Sequence, residues 1–393
     1  MKLAKISIKN IGYKPLSSIL SVLLLAFGIG IIVLLVNFSK QFEKQFTTNV
    51  GGIDMVVGAK GSPLQLILSS VYHIDDPTGN IPLSEYEKLK RNPLVETAIP
   101  LAYGDNYKGY RMVGTTLDYP KHYEAELENG NWFLKTGEAV IGAKAAQNTG
   151  LKIGDSFSGS HGLTQSIDHH DHFHYKVVGT IKSTGTVVDK LILTDINSVW
   201  AVHATEGHSN KSEPEITAAF FSFKSPMANL TVPRMVNKNT SMQAALPAIE
   251  VNRLFSLMGS GMQSLRILAI LIVIISGISV FLSLLQSLKD RKFELALMRT
   301  MGATRGQLLF TILLEGVWVA LMGYVLGIIL GKLGLLALSG LAQSNFQYQL
   351  QIAYFNSLDA LLFPLSILLG ALAAFVPAWQ ASKINISKTL SHG

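Results

Sequence analysis

"SSILSVLLLAFGIGIIVLLVNF", Ser17 to Phe38, contains no charged residue. A helix needs roughly 20 predominantly apolar residues to cross a hydrocarbon core of about 30 Å, so this stretch predicts a membrane span. Its apolar run outlasts the h-region of about 7–15 residues of a signal peptide, and "NFSKQFEKQF" follows where a small-x-small cleavage site would stand. It reads as an uncleaved anchor. Three more windows pass the same test: Leu265 to Leu288, about Leu308 to Leu338, and about Asn356 to Gln380. "PLQLILSSV" (Pro63 to Val71) is too short to cross and is expected to be amphipathic or membrane-proximal.

Composition agrees. The 393 residues are 48% hydrophobic and 15% charged, where a soluble domain carries about 25% charged residues. There is no cysteine, which excludes a disulfide framework and thiolate metal sites. The net charge of +7 is gathered at the span ends. Lys2, Lys5, Lys9 and Lys14 precede span one. Lys289, Arg291, Lys292, Arg299 and Arg305 separate spans two and three, and Lys383 and Lys388 follow span four. "SGLAQSNFQYQLQIAYF", between spans three and four, is uncharged. Because lysine and arginine collect on the cytoplasmic side, both termini and the 289–307 loop are expected inside and the large 39–264 segment outside. The positive charge is a topology signal, and no nucleic-acid-binding face is expected.

The expected fold is an α-helical membrane protein: four transmembrane helices, with a large α+β extracytoplasmic domain between helices 1 and 2. Its parts are 1–38 (cytoplasmic N-terminus and span one), 39–264 (outer domain) and 265–393 (spans two to four and a cytoplasmic C-terminus). In the outer domain, "GIDMVVGAK", "VETAIPLAYG", "GYRMVGTTLD", "KVVGTIKSTG", "KLILTD" and "EITAAFFSFK" read as strands. "LSEYEKLKRNP" reads as a short helix, "GEAVIGAKAAQNTGL" as strand then helix, and "SMQAALPAIEVNRLFSLM" as a helix leading into span two.

"LKDRKFELALMRTMGATRGQLLF", Leu288 to Phe310, predicts a short amphipathic helix within 290–305, with Leu295, Met298 and Met301 on one side and Gly302 as its C-terminal turn. Such a helix, basic at both ends, suits docking to a cytoplasmic partner; a plain positive-inside loop is the alternative. The stretch resembles the loop after the second span of the FtsX/MacB-like ABC permeases, a family that includes macrolide-exporter and lipoprotein-releasing types. The residues that carry the resemblance are Arg291, Glu294, Leu297, Met298, Arg299, Gly302, Ala303, Thr304 and Arg305. "FVPAWQASKINISKTL" is similar to the family's C-terminal ending at Pro377, Ala378, Trp379, Ala381 and Leu390, with Ser387 in place of a second proline. "MVGTTLDYPKHYEAELENGNWF" and "AVIGAKAAQNTGLKIGDSF" resemble its periplasmic core domain.

The resemblance implies a bacterial inner-membrane permease subunit that dimerises and binds two copies of a cytoplasmic ABC ATPase. ATP-driven motion would pass through the 290–305 helix to the outer domain, to export or extract an amphiphile, lipoprotein or peptide. The alternatives are a signal-transmitting scaffold that switches a periplasmic or outer-membrane partner, or a zinc-linked transport accessory that uses the histidine-rich loop 161–174. ATP and magnesium belong on the ATPase; this chain has no G-x-x-x-x-G-K-[ST] stretch and is not expected to be an enzyme.

Within the spans, Glu315 is costly in lipid and is expected to pair with Arg305 or Arg299 near the inner surface, or to take part in the linkage to the ATPase. Lys332 and Asp359 are expected to reach out to the membrane surface. Gly323, Gly327 and Gly331 fall on one helix face and predict close helix packing, within one subunit or across a dimer.

Residues 161–174 hold half of the ten histidines. In an extended chain His170, His172 and His174 share one face, and His161, Asp168 or His169 could complete a site for which neutral imidazole favours zinc. "YHIDDP" (His73, Asp75, Asp76) and "HATEGH" (His203, Glu206, His208) are weaker candidates. The alternatives are a hydrated insertion that meets metal adventitiously, or a pH sensor. No nucleophile or acid–base pair accompanies the tract, so a catalytic metal is not expected. "LKIGDSFSGS" and "YKVVG" predict strands on either side of it.

Overall fold

The computed structural model describes residues 7, 9, 10, 12, 15–159, 173–205, 213–346 and 357–384, without the side chains of 203–205, 341–346 and 358. The chain divides into two compact units, Met1–Phe42 with Met258–Gly393, and Glu43–Leu257. These limits lie a few residues outside span one and inside the 39–264 segment.

Among the described residues four helices are long and apolar enough to cross a membrane. They are α1 (Pro15–Val50), α8 (Pro247–Asp290), α10 (Arg305–Phe346) and α11 (Ser357–Ser382). Helix α9 (Lys292–Thr300) joins α8 to α10. Both α1 and α8 are longer than their apolar windows: α1 continues past Phe38 to Val50, and α8 starts at Pro247. The helix ahead of span two was expected, whereas the polar extension of α1 has a weaker periodicity than the hydropathy of its span and was not foreseen.

In the membrane unit the glycine stripe of α10 meets α1. A Cβ on Gly323 would stand 2.7 Å from Leu25, on Gly327 2.8 Å from Ile29, and on Gly331 2.8 Å from Val33. All three glycines thus pack within the chain, and backbones approach closely there because nothing larger fits. Helices α10 and α11 meet through Gly316 and Gly370, whose added Cβ atoms would each lie 2.6 Å from the other's carbonyl oxygen.

Lys332 and Asp359 do not reach out to the membrane surface as expected. Lys332 Nζ lies 3.3 Å from Asp359 Oδ2, and the Asp359 side chain is 1% exposed. Asn37 Nδ2 donates to Asp359 Oδ1 at 3.2 Å, and the Tyr324 hydroxyl donates to the Asp359 carbonyl at 3.1 Å. The charges neutralise each other locally, which is the cheaper course when a partner on a neighbouring helix is within reach.

The other unit is built on a mixed ten-stranded sheet. In chain order its strands are β1 (Met55–Ala59), β3 (Val95–Tyr107), β4 (Tyr110–Thr115), β5 (Leu127–Gly130), β6 (Glu138–Ile141), β7 (Ser156–Phe157), β8 (Tyr175–Ile181), β9 (Ile192–Asp195), β11 (Ala218–Phe223) and β12 (Met242–Ala245). The spatial order is β12-β1-β11-β3-β4-β9-β6-β8-β5, with β7 beside β8. Pairs β4–β9 and β6–β8 are parallel and the rest antiparallel. Strands β2 (Ile81–Pro82) and β10 (Glu215–Ile216) pair separately. Helices α2 (Pro63–Ser70), α3 (Leu83–Lys90), α4 (Asp118–His122), α5 (Ala143–Thr149), α6 (Ile196–Thr205) and α7 (Ala228–Asn239) complete the unit.

"PLQLILSSV" takes the amphipathic alternative: it forms α2, which buries Leu66, Ile67, Ser69 and Ser70, with Leu66 against Gly58 of β1. One correction concerns the order of elements. "SMQAAL" forms strand β12 before the helix starts at Pro247, which serves as a first-turn residue. Helices α6 and α7 were not foreseen. Strands β7 and β8 pair at Ser156–Lys176 and Phe157–Tyr175, so the histidine tract links two paired strands.

Candidate functional site

Helix α9 is the short amphipathic element expected in 290–305. Glu294 occupies its first turn and Arg299 its last, each complementing the helix dipole. Gly302 ends it at φ +98°, a conformation that a side chain would strain. The Gly302 N–H donates to the Arg299 carbonyl at 3.1 Å and the Ala303 N–H to that of Met298 at 3.0 Å, the double bond of a Schellman turn. Thr304 then starts α10 with a reciprocal cap: Gln307 N–H donates to Thr304 Oγ1 at 3.2 Å, and Thr304 N–H to Gln307 Oε1 at 2.9 Å. Gly302, Ala303 and Thr304 thus fix the angle between two helices. Arg305 is exposed.

One face of α9 is buried. Leu295 packs in a cluster with Leu288, Leu308, Ile312, Ala378 and Ala381, and Met298 packs against it. Met301 departs from expectation: it is 82% exposed, along with Phe293 at 50% and Leu297 at 48%. The helix is therefore apolar on two sides, and the described residues cover only one. Arg299 Nη1 donates to the Ser382 carbonyl at the end of α11, at 3.4 Å. Ala378 and Ala381 of the C-terminal motif are fully buried, while Trp379 is half-exposed with Lys383 Nζ 3.6 Å above its ring. Ser387 and Leu390 lie outside the described residues.

The root of α9 is ionic. Arg291 Nη1 donates to Glu315 Oε1 at 3.4 Å, and Arg291 Nε to Glu294 Oε2 at 3.2 Å. Asn10 Nδ2 donates to the same Glu315 oxygen at 2.6 Å. The Arg291 and Glu315 side chains are 8% and 5% exposed. Glu315 therefore pairs with Arg291, and neither Arg299 nor Arg305 is its partner. Arg299 points to α11, and the helix that carries Arg305 starts too far from Glu315 along the same axis. Sequence spacing gave no signal for Asn10, which is separated from Glu315 by almost the whole chain.

The sheet-bearing unit holds a second polar assembly, around the end of α1. Asn49 is buried; its Oδ1 accepts from Val187 N–H at 3.0 Å and its carbonyl from the Tyr123 hydroxyl at 3.2 Å. The Tyr72 hydroxyl donates to the Phe46 carbonyl at 2.9 Å, and the rings of Phe46 and Tyr72 are 4.3 Å apart. Beside them His73, at φ +55°, joins two tyrosines: Nε2 lies 2.9 Å from the Tyr119 hydroxyl and Nδ1 2.9 Å from that of Tyr103. Tyr103 donates its only hydroxyl proton to the Ser69 carbonyl. His73 then donates from Nδ1, and as a neutral imidazole it accepts at Nε2 from the Tyr119 hydroxyl. Burial, with the nearby Arg111 charge second, holds its pKa well below the usual value. The Arg111 guanidinium stacks 4.7 Å from the centre of the Tyr103 ring.

Both nitrogens of His73 are thus spent on tyrosines, and "YHIDDP" does not gather into a ligand set. Among the described residues no group of three or more His, Asp or Glu is placed to hold a metal ion. His161, Asp168, His169, His170 and His172 lie outside the described residues, as do Glu206 and His208. His174 Nδ1 is 3.0 Å from Ser158 Oγ, across the base of the β7–β8 hairpin.

Comparison with known proteins follows this division. Residues 18–249 match the MacB-like periplasmic core domain, and residues 266–386 the FtsX-like permease C-terminal domain. The chain is 30% identical over 137 residues to the lipoprotein-releasing system transmembrane protein LolC of Haemophilus influenzae, covering 34% of each chain. It is 29% identical over 124 residues to the macrolide export ATP-binding/permease protein MacB of Bordetella avium, covering 32% of this chain and 18% of that one. The matched stretches thus span about a third of the first relative and about a fifth of the second. The periplasmic region of MacB from Actinobacillus actinomycetemcomitans superposes on 52% of this chain and 95% of its own, at 10% identity and a TM-score of 0.36. With both domain types matched, one of them over more than half of the chain, the chain belongs to the MacB/FtsX-like family of ABC transporter permeases.

Proposed function

We propose that this chain is the membrane-spanning subunit of a mechanically coupled ABC transporter, driven by a separate ATPase that docks on α9. The reading rests on one observation: Phe293, Leu297 and Met301 form an apolar ridge that the described residues leave exposed, on a helix anchored by a buried ion pair. A loop that merely obeyed the positive-inside rule would need neither the ridge nor the Arg291–Glu315 root. Basic flanks put α9 and both termini on the cytoplasmic side. Two copies of the chain would take two ATPase copies. Force applied at α9 enters α8 and α10 directly, and the sheet-bearing domain grips the far end of α1 through Asn49, Phe46 and their tyrosine partners. The work is export or extraction of an amphiphile, lipoprotein or peptide from the outer side of the membrane.

The test is capture of the intact chain from its native membrane, read by ATP hydrolysis in the eluate. Phe293→Glu and Leu297→Glu should each remove the co-purified ATPase activity while the chain's thermal unfolding stays unchanged. Undiminished activity in both eluates would end the docking proposal.

A further inference from the structure

Helix α11 carries one exposed apolar stripe, Leu361, Leu365, Leu368, Leu372 and Phe375, in steps of three or four residues. This is the side that a spanning helix turns to acyl chains. The stripe closes with Trp379, 50% exposed, whose indole N–H makes no hydrogen bond to the described residues. A tryptophan at a span end sits at headgroup level, its ring among the chains and its N–H toward polar groups.

Two cations meet at this point. One turn beyond Trp379, Lys383 holds its ammonium 3.6 Å above the indole ring. Arg299 arrives from α9, where Nη1 donates to the Ser382 carbonyl at 3.4 Å, next to Lys383 in the chain. The remaining N–H donors of Arg299 have no partner among the described residues. Nor is either cation paired there with a carboxylate, whereas Arg291 has Glu315 and Lys332 has Asp359.

We infer that the corner formed by Arg299, Trp379 and Lys383 binds the phosphate of an anionic phospholipid. A guanidinium offers paired N–H donors that match phosphate oxygens. The Lys383 ammonium adds a second positive charge, the indole N–H a further donor, and the acyl chains lie along Phe375 and Leu372. A zwitterionic lipid fits less well, because its own cation would be brought against two others. The bound phosphate bridges α9 and the end of α11, and so fastens the docking helix to the membrane surface. Arg299 stands two residues from Leu297 and thus on the far side of α9 from the exposed ridge, so lipid and docked protein do not compete. The site needs no ATPase and stands apart from the docking proposal.

Trp379 is its own reporter. The full-length chain would be placed in phosphatidylcholine nanodiscs doped with dibrominated phosphatidylglycerol or with dibrominated phosphatidylcholine, whose bromines quench indole emission on contact. Subtracting the emission of Trp379→Phe removes Trp132, Trp200 and Trp318. The anionic lipid should quench Trp379 at a much lower mole fraction than the zwitterionic one, by roughly fivefold for each cation. Arg299→Gln and Lys383→Gln, each read against its own Trp379→Phe partner, should remove about one such factor apiece. Lys289→Gln takes the same charge from another exposed position at that end of the bundle and should leave the preference intact. Equal quenching of the unsubstituted site by the two lipids overturns the inference, and that comparison needs neither cation replaced. A preference that survives both substitutions, or that Lys289→Gln lowers as much as they do, overturns it as well, since a diffuse field would then be the cause. Selective quenching by a chain that captures no ATPase would support the lipid site and count against the docking proposal alone.

Discussion

Replacing Glu315 by leucine should be the most damaging single change in the membrane unit that removes no apolar packing. The Arg291 guanidinium would keep only Glu294, which is 54% exposed and 3.2 Å away, a contact of the surface type worth roughly 0–1 kcal/mol. The rest of the group is 8% exposed and would be a buried charge without its partner. Breaking one side of a buried pair costs about 3–5 kcal/mol, a shift of roughly a hundredfold to a few thousandfold in the folding equilibrium. Converting both partners, Arg291→Met with Glu315→Leu, removes the stranded charge and should recover most of the loss. Glu315→Gln keeps the shape and a carbonyl acceptor for Asn10 and should fall between. Reversible unfolding of the full chain in bicelles, run as a double-mutant cycle, measures all four proteins. A single-variant loss below about 1 kcal/mol, or a double variant equal to the sum of the singles, would refute a buried ionic root.

Other consequences follow from packing and protonation. Gly327→Leu should lower stability by about 1–3 kcal/mol through overpacking against Ile29 and the Ala26 carbonyl. Gly340→Ala, whose Cβ meets nothing within 4 Å, should leave the melting temperature of the nanodisc-bound chain unchanged or slightly raised. His73 stays neutral in the folded domain because its pKa lies well below the usual value. Below pH ~6.5 the unfolded chain therefore takes up a proton that the folded chain refuses, and stability should fall by about 1.4 kcal/mol per pH unit until the folded pKa is reached. His73→Gln should remove that slope in denaturant titrations between pH 7 and 5, leaving the smaller contribution of His122, which burial also holds low; an unaltered slope would show that His73 is not the group. Asn49→Ala should loosen the end of α1, seen as faster amide exchange from Phe46 to Gly52, since it removes the acceptor for the Val187 N–H.

The spans, the cap at Gly302 and most strands were legible because each rests on a local period or a local conformational need. A run of aliphatic residues, one glycine before a capping box, and alternation over a few positions all announce themselves within one turn or strand. What stayed hidden depends on residues far apart in the chain. Glu315 could be seen as costly, but its partner was guessed among other arginines, and it is Arg291, at the junction of α8 and α9, with Asn10 beside it. Lys332 and Asp359 look like end-of-span charges until α10 and α11 are placed side by side. The His73 assembly draws on Ser69, Tyr103 and Tyr119, which no sequence pattern relates. "PLQLILSSV" left two readings open because a short apolar helix reads the same whether it faces lipid or a sheet.

The account stands or falls on whether ATP hydrolysis by an ATPase docked on α9 moves the sheet-bearing domain. A single cysteine replacing Leu134, 77% exposed in that domain, can carry an environment-sensitive fluorophore on the otherwise cysteine-free chain. With the co-purified ATPase in nanodiscs, addition of MgATP should change its emission, and Leu297→Glu should abolish that change without unfolding the domain. Steady emission through active ATP hydrolysis, across labels placed at several exposed positions of the domain, would contradict it.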